Sequence, residues 1–485
     1  MARSYSAPAA AHGSETKGRR RGKECRVLYY DKNTQSFYTD LKPPKLEDIT
    51  EPNLYREIFP YSQFPKIPFT HERVPTFIPQ DTWITDTTFR DGQQARPPYT
   101  VPQIVALFKF LHRLAGPRGL VRQSEFFLYS KKDREAVEKC LELGYEFPQV
   151  TGWIRAVKSD FKLVKEMGLK ETGILTSCSD YHIFLKLRRS RKQALEMYLD
   201  IVKAALDEGI TPRCHFEDIT RADFEGFVVP FAAELMKLAE QYETPIKVRA
   251  CDTLGFGVPY VGAQLPRSVA KIVYCLRRQA GVPPEWMEWH GHNDFHKVLV
   301  NATTAWLHGC CAANGTLLAI GERTGNPPLE GLVVEHAMMW GETEGVDYST
   351  ITEMADYYRT EIGYDIPPLY PLVGRDFNVT RAGIHADGLL KNEEIYNPFD
   401  TQRLLKRPVK IGLTDKSGLA GVLAWMQERY DFPEPLPKED ARARKIADWI
   451  TAQYEDGRIT AVSDEEMDEQ VFQSFGDTPR KPESL

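Results

Sequence analysis

Short apolar runs alternate with longer amphipathic stretches along the middle of this chain. The first amphipathic stretch has the spacing of one helix face, at Val101, Ile104, Val105, Phe108, Leu111 and Leu114. Similar stripes follow at 155–167, 190–208, 222–242 and 265–279. The runs around and between them predict eight strands, at 83–86, 120–125, 148–152, 171–177, 212–217, 246–252, 287–292 and 316–321.

This alternation predicts an α/β fold, because parallel strands need crossover connections of the length that these helices provide. Eight strand–helix units over about 250 residues are typical of a TIM (β/α)8 barrel. The alternative is an open doubly wound sheet, which usually carries a glycine-rich phosphate turn after its first strand. Arg90-Asp91-Gly92-Gln93 is not such a turn, so the barrel is the favoured fold.

The residue composition and the hydrophobic pattern change at several points along the chain, and these changes predict five regions. Residues 1–24 read as a disordered basic tail, and 25–80 as an irregular N-terminal extension rich in proline and aromatic residues. The barrel is predicted at 81–345 and a mainly helical C-terminal domain at 346–460. Residues 461–485 form a polar, acidic tail that we expect to fray.

Composition excludes several classes of protein. The net charge of −6 over 485 residues gives no sign of nucleic-acid binding, and the basic run at 17–23 is interpreted as a solvated tail. No run of about 18 apolar residues predicts a membrane span, and the first residues lack the apolar core of a secretory signal. The eight cysteines are scattered without a CxxC pair, which is typical of reduced thiols in a cytoplasmic protein.

Ionisable residues gather where the predicted strands end. In a TIM barrel the C-terminal strand ends face the substrate, so residues there are candidates for chemistry. The set comprises Asp86, Arg90, Asp91, Glu125, Glu217, Asp252, His290 and His292, followed by Gly321-Glu322-Arg323-Thr324-Gly325-Asn326. Buried ionisable groups are costly unless they are paired or bind a metal, so their convergence predicts a functional site.

A metal site is the sharpest hypothesis for this edge of the barrel. His290 and His292 alternate on one strand, so both imidazoles point to one side. With the carboxylate of Asp91 they form a set that suits Zn²⁺, Mn²⁺, Co²⁺ or Mg²⁺, and Arg90 beside them would offset negative charge developing on a substrate. The alternatives are histidines that only pack, a structural ion pair for Arg90 and an orienting role for Glu217.

A second candidate cluster follows the predicted barrel. It lies in Gly383-Ile384-His385-Ala386-Asp387-Gly388, with Tyr396 downstream. An imidazole and a phenol can donate and accept protons. On these residues alone, however, a plain loop is the better interpretation.

Four segments together resemble the signatures of the isopropylmalate synthase/homocitrate synthase family. They are Asp86-Thr87-Thr88-Phe89-Arg90-Asp91-Gly92-x-Gln94, His290-x-His292-Asn293-Asp294, Gly321-Glu322-Arg323-x-Gly325-Asn326 and Gly383-Ile384-His385-x-Asp387-Gly388. They stand in the family's order, and the resemblance covers roughly residues 81–420.

The resemblance implies a Claisen condensation on a barrel like that of HMG-CoA lyase. Acetyl-CoA or another acyl-CoA is enolised and attacks the ketone of a 2-oxo acid held by a divalent metal, and thioester hydrolysis then releases CoA. Carried over by position, the implied metal ligands are Asp91, His290, His292 and Asn326.

The resemblance also implies roles for other residues. Arg90 matches a stabiliser of oxyanion charge, Glu217 a carboxylate near the acyl methyl group, and Thr253 a binder of the 2-oxo acid carboxylate. His385 and Tyr396 match a proton-transfer pair that in this family reaches the barrel mouth of the partner subunit. A homodimer with a swapped C-terminal segment is therefore expected.

The sequence departs from the family pattern in two places. His296, followed by Lys297, stands where the family usually has glycine, and Thr414-Asp415-Lys416-Ser417-Gly418 replaces a usual Gly-Lys-His-Ser-Gly. The residues after 418 are too few for the leucine-binding domain of many isopropylmalate synthases, so leucine feedback is not expected.

The choice of 2-oxo acid depends on what binds its distal end. Oxaloacetate or 2-oxoglutarate needs a cation or several donors there, and Arg155 and His182 lie in donor-rich strand-end loops. Gln94 and Glu125 are also assigned to substrate binding. These loops favour the branch of Re-face citrate synthases, which use oxaloacetate, over homocitrate synthases (2-oxoglutarate) and isopropylmalate synthases (2-oxoisovalerate).

Other classes share parts of the pattern. HMG-CoA lyases share the Arg-Asp and His-x-His elements, and biotin-dependent carboxyltransferases share the Asp-Thr-Thr-Phe-Arg-Asp run. Both lack the segment from Gly383 to Tyr396. A non-catalytic barrel that binds CoA or a dicarboxylate is the non-enzyme alternative, although a binder has no need of both charge stabilisation and proton transfer.

Overall fold

A computed structural model describes residues 28–31, 36–39, 43–434 and 436–481 of the chain. The predicted basic tail at 1–24 lies outside these residues. The chain divides into two units, 1–42 and 43–485. In the first unit, strands β1 (Leu28–Asp31) and β2 (Ser36–Thr39) pair antiparallel.

The second unit contains the remaining strands and all the α-helices of the described chain. The strands are β3 (Trp83–Asp86), β4 (Val121–Phe127), β5 (Gln149–Ile154), β6 (Glu171–Ser177), β7 (Thr211–Glu217), β8 (Lys247–Asp252), β9 (Met287–Gly291), β10 (Ala312–Gly315), β11 (Val379–Thr380) and β12 (Lys410–Ile411). The helices up to residue 340 are α1 (Val101–Ala115), α2 (Lys131–Glu142), α3 (Phe161–Glu166), α4 (Arg191–Asp207), α5 (Val229–Tyr242), α6 (Val269–Arg278), α7 (Val298–His308) and α8 (Leu329–Trp340). Those beyond it are α9 (Thr350–Thr360), α10 (Gly383–Lys391), α11 (Thr401–Leu405), α12 (Gly418–Arg429), α13 (Ala441–Glu455) and α14 (Asp464–Phe475).

Strands β3 to β10 close into an eight-stranded parallel barrel, in which β10 pairs with both β9 and β3. The predicted TIM barrel is therefore confirmed. Serine and threonine residues begin several of the helices around it, because their hydroxyls accept the otherwise unpaired backbone N–H groups of the first turn. Thr100, Ser130 and Ser190 are such caps, and each belongs to a reciprocal capping box.

The eighth barrel strand differs from the prediction at 316–321. The strand is β10, whose sequence Ala-Ala-Asn-Gly has no β-branched residue, and residues 317–319 form an irregular turn after it. Because β10 is hydrogen-bonded on both sides, its neighbours determine the strand more than its own propensity does. The shift leaves the whole 316–326 segment as a loop over the barrel mouth.

Two wide helical turns were not predicted, one that precedes helix α4 and one that leads directly into helix α5. The regions Tyr181–Lys186 and Phe224–Val228 are π-helical, which sequence periodicity did not indicate. Such turns are rare and are often found at functional sites. Both follow strands, β6 and β7, that end beside the predicted site.

The barrel interior is polar and charged. Arg213, Arg249, Glu125 and Glu288 are all nearly inaccessible to solvent. Nη1 of Arg249 lies 2.8 Å from Oε2 of Glu125, and its Nη2 lies 2.8 Å from Oε1 of Glu288. Mutual pairing is what makes such buried charges tolerable.

The N-terminal extension at 43–80 lies across the loops that follow the middle strands of the barrel. The backbone N–H of Thr70 donates to Gly262 at 2.8 Å, and that of Gln264 donates to Pro68 at 2.9 Å. The N–H of Asn53 donates to the carboxylate of Asp180 at 2.8 Å. These bonds attach an irregular segment to the barrel at several separate points.

The helices after the barrel contribute to two different hydrophobic cores. Helix α9 packs with the barrel, where the Tyr358 hydroxyl lies 2.8 Å from that of Tyr99. A second core joins residues of α10, α12, α13 and α14, with Trp425 and Ile446 among its buried members. Helix α14 begins at a capping box on Ser463, so the end that we expected to fray contains an ordered helix.

The sequence also predicted that the chain has no membrane span and that its cysteines are reduced. Within them, no helix is long and apolar enough to cross a membrane. The seven described cysteines are free and buried, as expected for reduced thiols.

Candidate metal centre and active site

The first strand end forms a tight turn that carries Asp91. The buried carboxylate of Asp86 accepts the N–H of Thr88 at 3.0 Å, and the N–H of Asp91 donates to the Thr87 carbonyl at 2.8 Å. Short polar side chains that bond nearby backbone favour such turns over a continued strand. The turn brings Asp91 over the barrel axis, where β9 presents His290.

Asp91, His290 and His292 converge as predicted. Oδ2 of Asp91 lies 3.7 Å from Nε2 of His290 and 3.6 Å from Nε2 of His292. One ligand atom from each residue falls within 4.8 Å of the others, and all three residues are buried. A carboxylate and two imidazoles at this spacing fit one divalent ion.

The electrostatics of the cluster suit a cation. Burial lowers the pKa of His290 to about 3 and also lowers that of His292, so both imidazoles are neutral near pH 7. Burial opposes ionisation of Asp91, yet the Arg90 guanidinium and the hydrogen bond from Asn326 hold the pKa of this carboxyl well below its usual range. Neutral imidazole and ionised carboxylate are the forms that bind metals.

Asn314 orients His290 and was missed by the sequence reasoning. Nδ1 of His290 lies 2.7 Å from Oδ1 of Asn314, and the Asn314 amide donates to the Thr85 hydroxyl at 3.0 Å. With Nδ1 as the donor, the Nε2 lone pair of His290 is directed at the cluster. An asparagine near the end of a small-residue strand was the only available signal, and the misplaced eighth strand hid it.

Asn326 reaches the cluster through its amide nitrogen. Nδ2 donates to Oδ2 of Asp91 at 2.8 Å, while Oδ1 is buried without a hydrogen-bond partner among the described residues. That oxygen lies against Gly321, where a Cβ would meet it at 1.6 Å. A ligand role for Oδ1 requires the amide to flip, so the predicted fourth ligand stays a prediction.

Arg90 is held rigidly beside Asp91. Its Nη1 donates to Oδ1 of Asp91 at 3.1 Å and its Nε to Oε2 of Glu125 at 3.0 Å. Its guanidinium also lies over the ring of Trp153, 5.4 Å from the centroid. Arg90 is thus a preorganised cation next to the proposed metal.

Glu125 lies below the mouth rather than in it. It is 1% exposed, and Arg249 shares its Oε2 with Arg90. Burial opposes its ionisation, but Arg249, His215 and Arg90 hold the pKa of Glu125 well below its usual range. Glu125 is thus a hydrogen-bonding partner of Arg90, and its predicted contact with substrate stays a prediction.

Glu217 gathers donors from the wide turn after β6. Nδ1 of His182 lies 3.0 Å from Oε2 of Glu217, and Nζ of Lys186 lies 3.2 Å from the same atom. The hydroxyl of Ser177 also donates to it. Burial opposes ionisation, but these partners lower the pKa of Glu217 to about 2. The structure therefore joins two predicted residues, Glu217 and His182, and adds Lys186, which sequence reasoning missed.

The other predicted substrate residues have varied surroundings. Arg155 forms an ion pair with Asp160, its Nε and Nη2 each 3.0 Å from a carboxylate oxygen, so its guanidinium already has a partner within the protein. The Thr253 hydroxyl accepts the N–H of Asp218 at 2.8 Å. Gln94 is exposed, and its backbone N–H donates to the backbone carbonyl of Asp91.

His385 and Tyr396 come together as a pair. Their ring centroids lie 4.2 Å apart, and Gly388 allows this approach because a Cβ there would meet the Tyr396 ring at 2.5 Å. Both side chains are exposed. Among the described contacts of this single chain, neither touches the metal cluster.

Glu330, a further buried carboxyl, supports the loop that carries Asn326. Leu318 and Ala319 have left-handed φ angles of 55° and 54°, which are strained for residues with a side chain. The Leu318 N–H donates to Oε2 of Glu330 at 3.1 Å, and the Asn326 N–H donates to the Ala319 carbonyl at 3.1 Å. Glu330 was not among the predicted residues, because nothing in the sequence links it to residue 318.

We expect Glu330→Gln to remove a loss of stability at high pH. Burial raises the pKa of Glu330 to about 7, so its stabilising contribution is complete below its unfolded pKa and is lost as pH rises through 7. Glutamine stays neutral and still accepts from Leu318. At about pH 8 the variant should gain on the order of 2–3 kcal/mol in free energy of unfolding.

Chemical denaturation at about pH 5 and about pH 8 measures this difference. Glu335→Gln on the same helix is the control, since Glu335 is only partly buried. An equal change of stability with pH in wild type and Glu330→Gln would contradict the burial of a protonated carboxyl.

Comparison with known proteins identifies the family to which this barrel belongs. The sequence model of the HMGL-like family matches residues 82–357, more than half the chain. The chain therefore belongs to the HMGL-like family, and the predicted family is confirmed.

Three curated relatives narrow this assignment. The chain is 57% identical to the Citrate (Re)-synthase of Syntrophus aciditrophicus, over 88% of this chain and 68% of that protein. It is 54% identical to the Citrate (Re)-synthase of Clostridium kluyveri, over 87% and 94% of the two chains. It is 39% identical to the 2-phosphinomethylmalate synthase of Streptomyces hygroscopicus, over 89% and 98%.

Proposed function

We propose that this chain condenses acetyl-CoA with oxaloacetate and water to give citrate and CoA. The observation that best supports this proposal is the buried cluster of Asp91, His290 and His292. Arg90 donates a hydrogen bond directly to Asp91 of this cluster. The names of relatives at 54–57% identity support the choice of this reaction among those of the family.

The site residues suit the two charge problems of the reaction. A divalent ion held by the Asp–His–His cluster would polarise the ketone of a chelating 2-oxo acid. As the new carbon–carbon bond forms, negative charge grows on the former ketone oxygen, and Arg90 offsets it at short range. Asp91 and Glu125 hold the guanidinium in place beforehand, so little reorganisation is needed.

Glu217 contributes by orienting its neighbours. A carboxylate whose pKa is about 2 is a weak base for a methyl proton, so proton abstraction by Glu217 itself is disfavoured. Its contacts instead hold His182 and Lys186 at the mouth, where their N–H groups can donate to a distal carboxylate. This extends the substrate role predicted for His182, and Arg155 contributes only if its pair with Asp160 opens.

The proposal is tested with purified, metal-loaded protein, acetyl-CoA and a panel of 2-oxo acids. We expect CoA release to be fastest with oxaloacetate, with citrate as the product. Faster release with 2-oxoisovalerate or 2-oxoglutarate would assign the chain to another branch of the family. Formation of acetoacetate from HMG-CoA would instead favour a lyase.

We also propose a homodimer in which His385 and Tyr396 serve the barrel of the partner. The support is that these exposed side chains contact each other but, within the described chain, not the metal cluster. A proton donor acts only within hydrogen-bonding reach of the reacting group, so this pair would serve the site of another copy. The buried free thiols support a cytoplasmic location.

Mixing two inactive variants tests this arrangement. His290→Ala lacks the metal site and His385→Ala lacks the proton-transfer pair, so each homodimer should be nearly inactive. In a mixed dimer one site is complete, because the intact cluster meets the intact pair. Co-expression should therefore restore part of the turnover, whereas activity that stays at the level of the single variants would place the pair in the same chain as its metal site.

A further inference from the structure

Part of the N-terminal extension, the 47–56 segment, is hydrogen-bonded to the wide turn that follows β6. The backbone N–H of Asn53 donates to Oδ2 of Asp180 at 2.8 Å. The hydroxyl of Tyr181 donates to the Leu54 carbonyl at 2.7 Å. Asp180 caps this wide turn and Tyr181 is its first residue, so the segment holds the turn at the point where it begins.

The contact with Asp180 belongs to a buried cluster of charges. Arg191 is inaccessible to solvent, and its Nε donates to Oδ1 of Asp180 at 2.9 Å while its Nη2 donates to Asp223 at 3.0 Å. Its Nη1 donates to the Glu47 carbonyl at 3.3 Å. The 47–56 segment thus supplies one donor and one acceptor to the cluster, both from its backbone. Because buried charges are costly without such partners, the cluster fixes the segment and the turn together.

The same segment is bonded to the second wide turn, Phe224–Val228. The backbone N–H of Glu47 donates to the Gly226 carbonyl at 3.0 Å. The neighbouring Asp48 accepts the backbone N–H of Lys192 at 3.1 Å, at the start of α4. Wide turns are rare in helices and are often found at functional sites. Here both are held by contacts from outside their own helices.

His182 is the residue through which the first wide turn reaches the site. It follows Tyr181 directly, and its Nδ1 lies 3.0 Å from Oε2 of Glu217. Its Nε2 lies 3.7 Å from Oδ2 of Asp218. A single methylene group joins the imidazole to the backbone, so a shift at the start of the turn displaces the ring from these carboxylates.

We propose that the 47–56 segment positions His182 for the distal carboxylate of the 2-oxo acid. This rests on the proposed function, in which His182 and Lys186 donate to that carboxylate. Among the described hydrogen bonds, none joins the segment to the metal cluster. The segment therefore acts on the distal end of the acid and not on the end that the metal holds. Its residues are positioning residues and touch no substrate.

Two replacements of Asn53 in the full chain test the bond to Asp180. Both lose the asparagine side chain, but only Asn53→Pro also loses the N–H that donates to the carboxylate. We expect Asn53→Pro to raise the KM for oxaloacetate about tenfold, as for loss of a hydrogen bond to a charged group, and Asn53→Ala to stay near wild type. In both variants kcat, the KM for acetyl-CoA and the Mn²⁺ affinity of the apo protein should be unchanged.

Tyr181→Phe tests the second bond without altering the backbone. It removes only the hydroxyl that donates to Leu54, and the KM for oxaloacetate should rise about fivefold. Tyr242→Phe is the matched control, because it removes a hydroxyl that donates to Asp207 at 3.0 Å at the far end of α5. Its KM for oxaloacetate should equal that of wild type.

Inhibition by pyruvate separates positioning from general damage to the site. Pyruvate is a 2-oxo acid without a distal carboxylate, so its inhibition constant against oxaloacetate should be the same in wild type, Asn53→Pro and Tyr181→Phe. A parallel weakening of pyruvate, or an unchanged KM for oxaloacetate in both variants, would overturn the proposal.

The wild-type preference among 2-oxo acids separates this proposal from the proposed function. A preference for 2-oxoglutarate would overturn the function alone, because that acid also has a distal carboxylate, and the variants are then compared with it. A preference for 2-oxoisovalerate, which has none, would overturn both.

Discussion

Replacing Arg90 with alanine should lower turnover by about a hundredfold or more. The expected loss is the roughly 3 kcal/mol that one preorganised donor to a developing oxyanion contributes. The KM for acetyl-CoA should change little, because the charge develops only after the substrates are bound. Steady-state CoA release with oxaloacetate measures both constants.

Two further variants separate chemistry from folding. Arg90→Lys keeps a charge but loses the fork that bonds Asp91 and Glu125 together, so we expect intermediate turnover. Arg122→Ala removes an arginine that pairs with Asp81 at the opposite end of the barrel, and it should retain activity. Wild-type turnover in Arg90→Ala would remove this residue from the mechanism.

The second large effect is expected for Asp91→Asn. The amide keeps the shape of the side chain but loses the negative charge that two neutral imidazoles cannot replace. Metal affinity should fall by more than about a hundredfold, since even residues that only orient a ligand change it by 10–100-fold. Titration of the apo protein with Mn²⁺ or Zn²⁺ measures the affinity, and turnover should fall with it.

Asp252→Asn is the matched control for this experiment. Asp252 is also a buried carboxylate at a barrel strand end, but it accepts from Thr220 at 2.8 Å and from the Gly257 N–H at 2.9 Å. It lies outside the cluster, so its amide variant should keep metal affinity. Equal affinity in wild type and Asp91→Asn would refute the proposed ligand set.

The sequence was most informative where the pattern was local. The alternation of strands and helices predicted the barrel, and two strand-end motifs predicted that Asp91, His290 and His292 meet. It was least informative at the eighth strand. The small residues of β10 have little strand propensity, and they form a strand because they are hydrogen-bonded to β3 and β9 on either side. That error also concealed Asn314, which orients His290.

The sequence by itself determined the fold class and the metal-ligand types, because helix and strand periods and the order of motifs are properties of neighbouring residues. Only the tertiary structure decided what each charged side chain faces. It paired Glu125 with Arg90 and linked Glu217 to His182 and Lys186. These relations join residues far apart in the chain, and the free energy of a buried charge depends on such partners rather than on local sequence.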